Sequence, residues 1–277
     1  MAETLHQLQR YFKELGGVTI AFSGGVDSSL LLSIAHKALG ENVLAVSCRV
    51  PGHTQREIEE AVALAKQIGV THRVVEVDPL QDDNFRANDE GRCYYCKKVL
   101  LRLILELAAD AGLPTVIEGS NADDRGDYRP GLAAVRELGV RSPLVELNIG
   151  KDKIRQLAHD LNLPVWDKPA AACLISRLPY GTKITNERLR RIERAEEILR
   201  AAGIWPARAR DHGDLVRIET NPQRFPDLLD EKRRRALVAD LQAAGYTYVA
   251  IDLQGYRTGA MNEALGKASR SDYDPQT

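Results

Sequence analysis

One string, Ser23-Gly24-Gly25-Val26-Asp27-Ser28-Ser29, constrains the fold of this chain more than any other. It follows the apolar run Val18-Thr19-Ile20-Ala21-Phe22, which reads as a buried strand, and it leads into a helical pattern over residues 28–39. A strand, a glycine pair and a helix in that order leave little choice. The glycines let the backbone approach a ligand without a Cβ clash, and the first N–H groups of the helix point outward where its dipole favours an anion. Ser23 and Ser28 add hydroxyl donors, while Asp27 is an acceptor suited to a Mg²⁺ ion bridging phosphates. The alternative is a Gly-rich turn with a capping Ser or Asp. Gly-Gly alone does not separate the two readings, but the full Ser-Gly-Gly-x-Asp-Ser string favours the phosphate loop.

Around this loop, residues 43–48 and 72–77 read as further strands and 55–68 and 97–111 as helices, followed by a strand at 114–118 and a helix at 151–161. Strands alternating with helices imply an α/β fold with a parallel sheet. Segment 163–185 breaks the rhythm with Pro164, Pro169, Pro179 and Gly181 and carries Cys173. Beyond it come a charged helix at 186–202, two alternating runs at 207–210 and 215–220 around a polar turn, a helix at 231–244 and a strand at 246–253. These elements make a smaller α+β domain. The expected organisation is therefore a phosphate-loop domain at 1–168, an irregular connection at 169–185, a C-terminal domain at 186–268 for substrate binding or oligomerisation, and a tail at 269–277.

Composition excludes some classes of function. No apolar run approaches the roughly 18 residues of a membrane span, and the first residues lack the basic-then-apolar pattern of a secretory signal, so a cytoplasmic protein is expected. The net charge of −1 gives no global field for gathering nucleic acid, which speaks against an RNA or DNA partner.

The loop resembles that of the PP-loop ATP pyrophosphatases, which cleave ATP between its α and β phosphates and adenylate a substrate. It has no Walker lysine, which argues against γ-phosphate transfer. The resemblance implies adenosine contacts from Val46-Ser47-Cys48-Arg49 and from Glu118-Gly119-Ser120-Asn121-Ala122-Asp123-Asp124; Ser47, Arg49, Gly119 and Asp124 are thus candidate ATP ligands beside Ser23, Gly24, Gly25, Val26, Asp27 and Ser28.

Later strings resemble the LarE family of sulfur transferases in nickel-pincer nucleotide biosynthesis. They are Asp127-Tyr128-Arg129-Pro130-Gly131, Lys168-Pro169-Ala170-Ala171-Ala172-Cys173-Leu174-Ile175-Ser176-Arg177, His212-Gly213-Asp214-Leu215-Val216-Arg217-Ile218-Glu219 and Asp252-Leu253-Gln254-Gly255-Tyr256-Arg257-Thr258-Gly259-Ala260-Met261-Asn262-Glu263. Each is weak alone; their order along most of the chain is specific. The resemblance implies ATP and Mg²⁺ as cofactors, pyridinium-3,5-biscarboxylic acid mononucleotide as substrate, sulfide or another sulfur source, and a homo-oligomer. Its chemistry would join a carboxylate to AMP, so that a sulfur nucleophile displaces a good leaving group. Rival readings are a tRNA-modifying PP-loop enzyme, an amidotransferase-like synthetase, for which no glutaminase domain is evident, and a nucleotide-binding sensor without chemistry.

Cys173 matches the family cysteine that gives up its own sulfur in one branch. Cys93 and Cys96, in Arg92-Cys93-Tyr94-Tyr95-Cys96-Lys97, instead resemble the branch in which three cysteines hold a [4Fe–4S] cluster. A zinc half-site and free thiols or persulfide chemistry remain alternatives, and Cys48 reads as a buried apolar residue. Ser176 and Arg177 follow Cys173 closely enough to meet its substrate, or else cap and solvate the local surface. Arg208 and Arg210 alternate on one strand and share a face. The resemblance gives them the substrate's phosphate, whereas a charged strand edge is the other reading.

Overall fold

The computed structural model describes residues 2–126, 130–169 and 172–257. The chain divides into two compact units, Met1–Asp82 with Gly91–Ala171, and Asp83–Glu90 with Ala172–Thr277. Among the described residues no helix is long and apolar enough to cross a membrane.

The first unit is the α/β fold expected from the alternation of patterns. Its strands β1 (Val18–Ala21), β2 (Val43–Arg49), β3 (Thr71–Glu76) and β4 (Val116–Ile117) form a parallel sheet in the order β3-β2-β1-β4. The period of two along β2 divides the core. Val43 and Ala45 join Val18 and Ile20 against helices α1 (Ala2–Leu15), α2 (Val26–Leu39), α3 (Gln55–Ile68) and α8 (Lys151–Asp160). Leu44, Val46 and Cys48 face the other way, towards Leu101, Ile104 and Ala108 of α5 (Arg92–Asp110). A strand buried on both faces shows no apolar–polar alternation, which is why β2 reads as one continuous apolar run. Short helices α6 (Gly131–Glu137) and α7 (Pro143–Glu146) fill connections, while α4 (Asp83–Ala87) belongs to the second unit. Because β2 and β4 lie on opposite sides of β1, the chain reverses its winding direction there. In open α/β sheets such a switch point opens a crevice at the carboxyl ends of the strands.

The second unit has strands β5 (Ala207–His212), β6 (Leu215–Thr220) and β7 (Tyr248–Ile251) in that spatial order, antiparallel then parallel. Helices α9 (Asn186–Ala201), α10 (Phe225–Leu229) and α11 (Glu231–Ala243) complete it. Ala207, Ala209, Val216 and Ile218 pack with Ala195 and Leu199 of α9 and Leu237 and Leu241 of α11. The alternate residues of β5, Arg208 and Arg210, therefore share the opposite face.

Three features depart from the sequence reading. Helix α5 begins at Arg92, five residues before the expected 97, so Cys93 and Cys96 lie on its first turns. The N-terminal helix α1, not anticipated, buries Leu8 and Phe12. Segment 83–90, assigned by sequence to the first domain, belongs to the second unit. There Asn88, at φ +58°, donates from Nδ2 to the carbonyls of Pro179 (2.8 Å) and Thr182 (2.9 Å) and accepts from Gly181 N–H (3.0 Å). Within the expected connection at 169–185, residues Leu174–Arg177 form a short 3-10 turn.

Candidate active site

The phosphate loop holds its own shape. Ser23 Oγ lies 3.1 Å from Ser28 Oγ and accepts the Gly25 N–H at 3.3 Å, while Ser28 Oγ donates to the Gly25 carbonyl at 3.3 Å. Gly24 sits at φ +69°, and a Cβ there would fall 3.0 Å from Ala61 Cβ, so conformation and space both demand glycine. Gly25 is the N-cap of α2 and no side chain caps it. The first N–H groups of that helix are thus left to an external acceptor, as a phosphate loop requires and a capped turn does not.

The loop after β4 closes against the start of α2. A Cβ on Gly119 would stand 3.1 Å from Ser28 N and 3.3 Å from Asp27 Cβ, so this approach is backbone against backbone. Asn121 Nδ2 donates to Asp27 Oδ1 at 3.4 Å, and buried Asp124 accepts the Asn121 N–H at 2.9 Å. Asp123 accepts the Lys151 N–H at 2.7 Å at the start of α8, which brings Lys151 Nζ to 2.6 Å from Asp27 Oδ2. Asp27 therefore sits among an amide and an ammonium, with its carboxylate side chain one-fifth exposed. Beside it, buried Glu118 accepts from Lys97 Nζ (2.6 Å), Ser120 Oγ (2.8 Å) and Ser142 Oγ (2.5 Å). Burial raises its pKa, but the Lys97 charge and these hydrogen bonds outweigh it and hold Glu118 below the usual carboxylate range.

The proposed adenosine contacts at the end of β2 are engaged in other ways. Ser47 is buried; its hydroxyl donates to the Phe22 carbonyl at 2.6 Å and lies 2.8 Å from His72 Nε2. It braces the strand end before the loop. Arg49 pairs with Glu76 on β3 at 3.0 Å, an exposed cross-strand contact.

In the second unit the arginines separate into two roles. Arg177, expected near the substrate, is buried: Nε and Nη2 form a fork on Glu196 at 2.7 and 3.0 Å, and Nη1 donates to the carbonyls of Ala172 and Cys173 and to Ser176 Oγ. It organises the turn after Cys173. The Ser176 carbonyl accepts from Arg210 Nη1 at 2.7 Å, and Arg210 Nη2 pairs with buried Glu219 at 2.7 Å, so Arg210 is committed to the framework too. Arg208 differs. It is buried with Trp205 and Tyr256 rings 5.7 and 5.1 Å from its guanidinium carbon; among the described residues it donates only to the Ala207 carbonyl, and no carboxylate pairs with it. Burial, aided by the nearby Arg177 charge, pulls its pKa below the ordinary arginine value. A buried guanidinium that shares the Glu196 charge with Arg177, and that forms no ion pair of its own among the described residues, suits an incoming anion.

Of the cysteines, Cys93 is exposed and Cys96 half-buried, three residues apart on one face of α5 in the first unit; Cys173, half-buried, belongs to the second. Burial pushes the Cys48 thiol up to about 12, which keeps it protonated as an apolar filler. Among the described residues no group of three or more His, Cys, Asp or Glu side chains gathers as a metal site. Asp127, Tyr128, Arg129, Ala170, Ala171 and residues 258–277 lie outside the described residues. Sequence reading assigned no site role to Lys97, Lys151 and Lys168, whose partners are 21 to 144 residues away in the chain.

If Arg208 holds the phosphate that the resemblance assigns to it, Arg208→Ala is expected to weaken binding of a phosphorylated pyridinium nucleotide about tenfold, the worth of one charge-assisted contact, with ATP affinity unchanged within about twofold. Titration with the nucleotide and its phosphate-free nucleoside reads this out. Equal weakening for both would remove phosphate from the role of Arg208.

Comparison with known proteins places these observations. The asparagine synthase family profile matches residues 10–124, the span from α1 through the phosphate loop to the loop after β4. An uncharacterised protein of Synechocystis is 43% identical over 263 residues, covering 95% of this chain and 98% of its own. The pyridinium-3,5-bisthiocarboxylic acid mononucleotide synthase of Lactiplantibacillus plantarum is 39% identical over 257 residues, 92% of each chain. An uncharacterised protein of Methanocaldococcus jannaschii is 31% identical over 241 residues, 87% of this chain and 91% of its own. With a phosphate loop built at the switch point of a parallel sheet and likeness to a synthase along nearly its whole length, the chain belongs to the LarE family of PP-loop enzymes.

Proposed function

We propose that this protein uses ATP to activate a carboxylate of pyridinium-3,5-biscarboxylic acid mononucleotide and replaces one of its oxygens by sulfur. The observation that carries the reading is the uncapped N-terminus of α2 behind Ser23-Gly24-Gly25, at the carboxyl edge of the sheet. In the first step a carboxylate oxygen attacks the α-phosphorus, the bond to the β-phosphate bridge breaks, and pyrophosphate leaves with the electron pair. In the second, a sulfide attacks the acyl carbon and AMP departs, leaving a thiocarboxylate. The α2 N–H groups and the Ser23 and Ser28 hydroxyls receive the phosphates, and Asp27 with Asn121 orients a Mg²⁺ ion. Arg208 binds the substrate's phosphate.

The reading extends to Cys93, Cys96 and Cys173 as ligands of a [4Fe–4S] cluster, and to a cytoplasmic homo-oligomer without a nucleic-acid partner. Two thiols on one helical face suit two ligands of such a cluster, and a third cysteine leaves one iron open to an extra sulfide. The supports are this spacing and the resemblance to the three-cysteine branch.

The test incubates anaerobically purified, iron- and sulfide-analysed protein with ATP, Mg²⁺ and sulfide, with and without the pyridinium mononucleotide. AMP and pyrophosphate should form only with that nucleotide. Release that depends on tRNA instead, or no release at all, overturns the assignment in favour of an RNA-modifying enzyme or a sensor. Mass spectrometry after several turnovers should find Cys173 intact. Loss of its sulfur in proportion to product would rule out the cluster role and make the thiol sacrificial.

A further inference from the structure

The phosphate loop carries hydroxyls, backbone N–H groups and an aspartate, but no cation of its own. Pyrophosphate leaving from ATP concentrates negative charge at the loop, and a departing anion of that kind is stabilised by an ammonium or guanidinium aimed at it. Among the described residues, two ammonium groups reach the loop from outside. Lys151 is held by Asp27 at 2.6 Å. Lys168 is arranged differently: its Nζ lies 3.5 Å from the Gly24 carbonyl, within the glycine pair, and 2.8 Å from Glu60 Oε2 on α3.

Three details of the Lys168 surroundings bear on its role. The main chain of Lys168 is fixed at both ends of the residue, its carbonyl by Arg155 Nη2 of α8 at 3.3 Å and its N–H by the Val165 carbonyl at 3.1 Å. The anchored backbone fixes where the four-carbon side chain starts, within reach of the loop. Its present carboxylate partner is shared, because Glu60 Oε1 also takes Arg56 Nε at 2.6 Å. Glu60 thus keeps a counter-charge when Lys168 turns away, and the exchange leaves no uncompensated charge behind. The Lys168–Glu60 pair is also partly solvated, with side chains 25% and 37% exposed, so breaking it costs little.

We propose that Lys168 is the pyrophosphate-binding cation of this enzyme and that Glu60 is its resting partner. The proposal rests on the ATP-cleaving reading above and adds to it a residue from outside the loop that neutralises the leaving group.

Titration of the full-length protein with Mg²⁺-pyrophosphate, Mg²⁺-ATP and AMP tests it. Lys168→Gln should raise the dissociation constants of pyrophosphate and ATP about tenfold or more, the worth of one charge-assisted hydrogen bond, and leave AMP within about twofold. Glu60→Gln should bind pyrophosphate at least as tightly as the wild type, since it frees Lys168. If Lys168→Gln weakens AMP as much as pyrophosphate, or if Glu60→Gln weakens pyrophosphate as much as Lys168→Gln does, Lys168 acts only as a tether to α3 and the proposal fails. Wild-type protein that binds ATP and pyrophosphate, with Lys168→Gln unchanged, overturns this inference alone. Wild-type protein that binds neither overturns the ATP reading and this inference with it.

Discussion

Asp27→Asn is expected to slow pyrophosphate release by about 100-fold or more, with the melting temperature close to that of the wild type. The carboxylate stands on the first turn of α2, next to the uncapped N–H groups, with Asn121 at 3.4 Å and Lys151 at 2.6 Å. Asparagine keeps the shape and one acceptor oxygen but loses the charge with which Asp27 is proposed to hold a Mg²⁺ ion. The ion pair with Lys151 is only partly buried, so its loss costs about 1 kcal/mol or less in stability. Activity and stability should therefore separate sharply. The loop does not depend on Asp27 for its shape, since Ser23, Gly25 and Ser28 bond among themselves. Pyrophosphate release at the wild-type rate from well-folded Asp27→Asn would remove Asp27 from the metal-binding role.

The phosphate loop was legible because its information is local. Ser23 to Ser29 contains every residue that shapes the loop, and strand and helix flank it in sequence as in space. The two strands on either side were legible as continuous apolar runs, since a sheet covered by helices on both faces buries each residue of β2 up to Cys48. Where elements end was harder to read. Helix α5 starts at Gly91-Arg92 with no capping side chain, so nothing in the sequence marks its first turn, and the aromatic and cysteine residues there look like loop. In α1 the spacing of Leu5, Leu8, Phe12 and Leu15 carried a helical signal that could have been found. Segment 83–90 could not have been assigned to the second unit from its own residues. Its place depends on Asn88 bonding to Pro179 and Thr182, 91 and 94 residues on.

Charged residues were the least legible, for one physical reason: whether an arginine is a ligand or a strut depends on which carboxylate the fold brings to it. Arg208 and Arg210 are equivalent by spacing, yet Arg210 meets Glu219 while Arg208 meets two aromatic rings. Lys151 and Lys168 take no role in the sequence reading, because one is a lone lysine at the start of a helix and the other reads only as the first residue of a family-like string. Chain folding places both at residues 24–27, more than a hundred positions earlier.

Arg177→Leu is expected to destabilise the second unit by about 3–5 kcal/mol, the largest effect on stability among the substitutions considered. Arg177 and Glu196 are both buried and joined by two hydrogen bonds, at 2.7 and 3.0 Å. Removing the guanidinium leaves a buried carboxylate with the Ala209 N–H, at 3.2 Å, as its remaining bonded donor among the described residues. An uncompensated charge in that position costs more than the pair contributed, so the companion change matters. Arg177→Leu with Glu196→Leu should recover a large part of the loss, because it removes both charges and fills the space with apolar groups. Urea unfolding of the two variants of the full chain measures the difference. A double variant no more stable than Arg177→Leu would mean that the bonds from Nη1 to Ala172, Cys173 and Ser176, and not the ion pair, hold this region. Those bonds also give Arg177 its link to chemistry. They fix the carbonyl of Cys173 itself, so the double variant should be stable yet have a loosened Cys173 segment, separating the fold of the unit from the placement of the thiol.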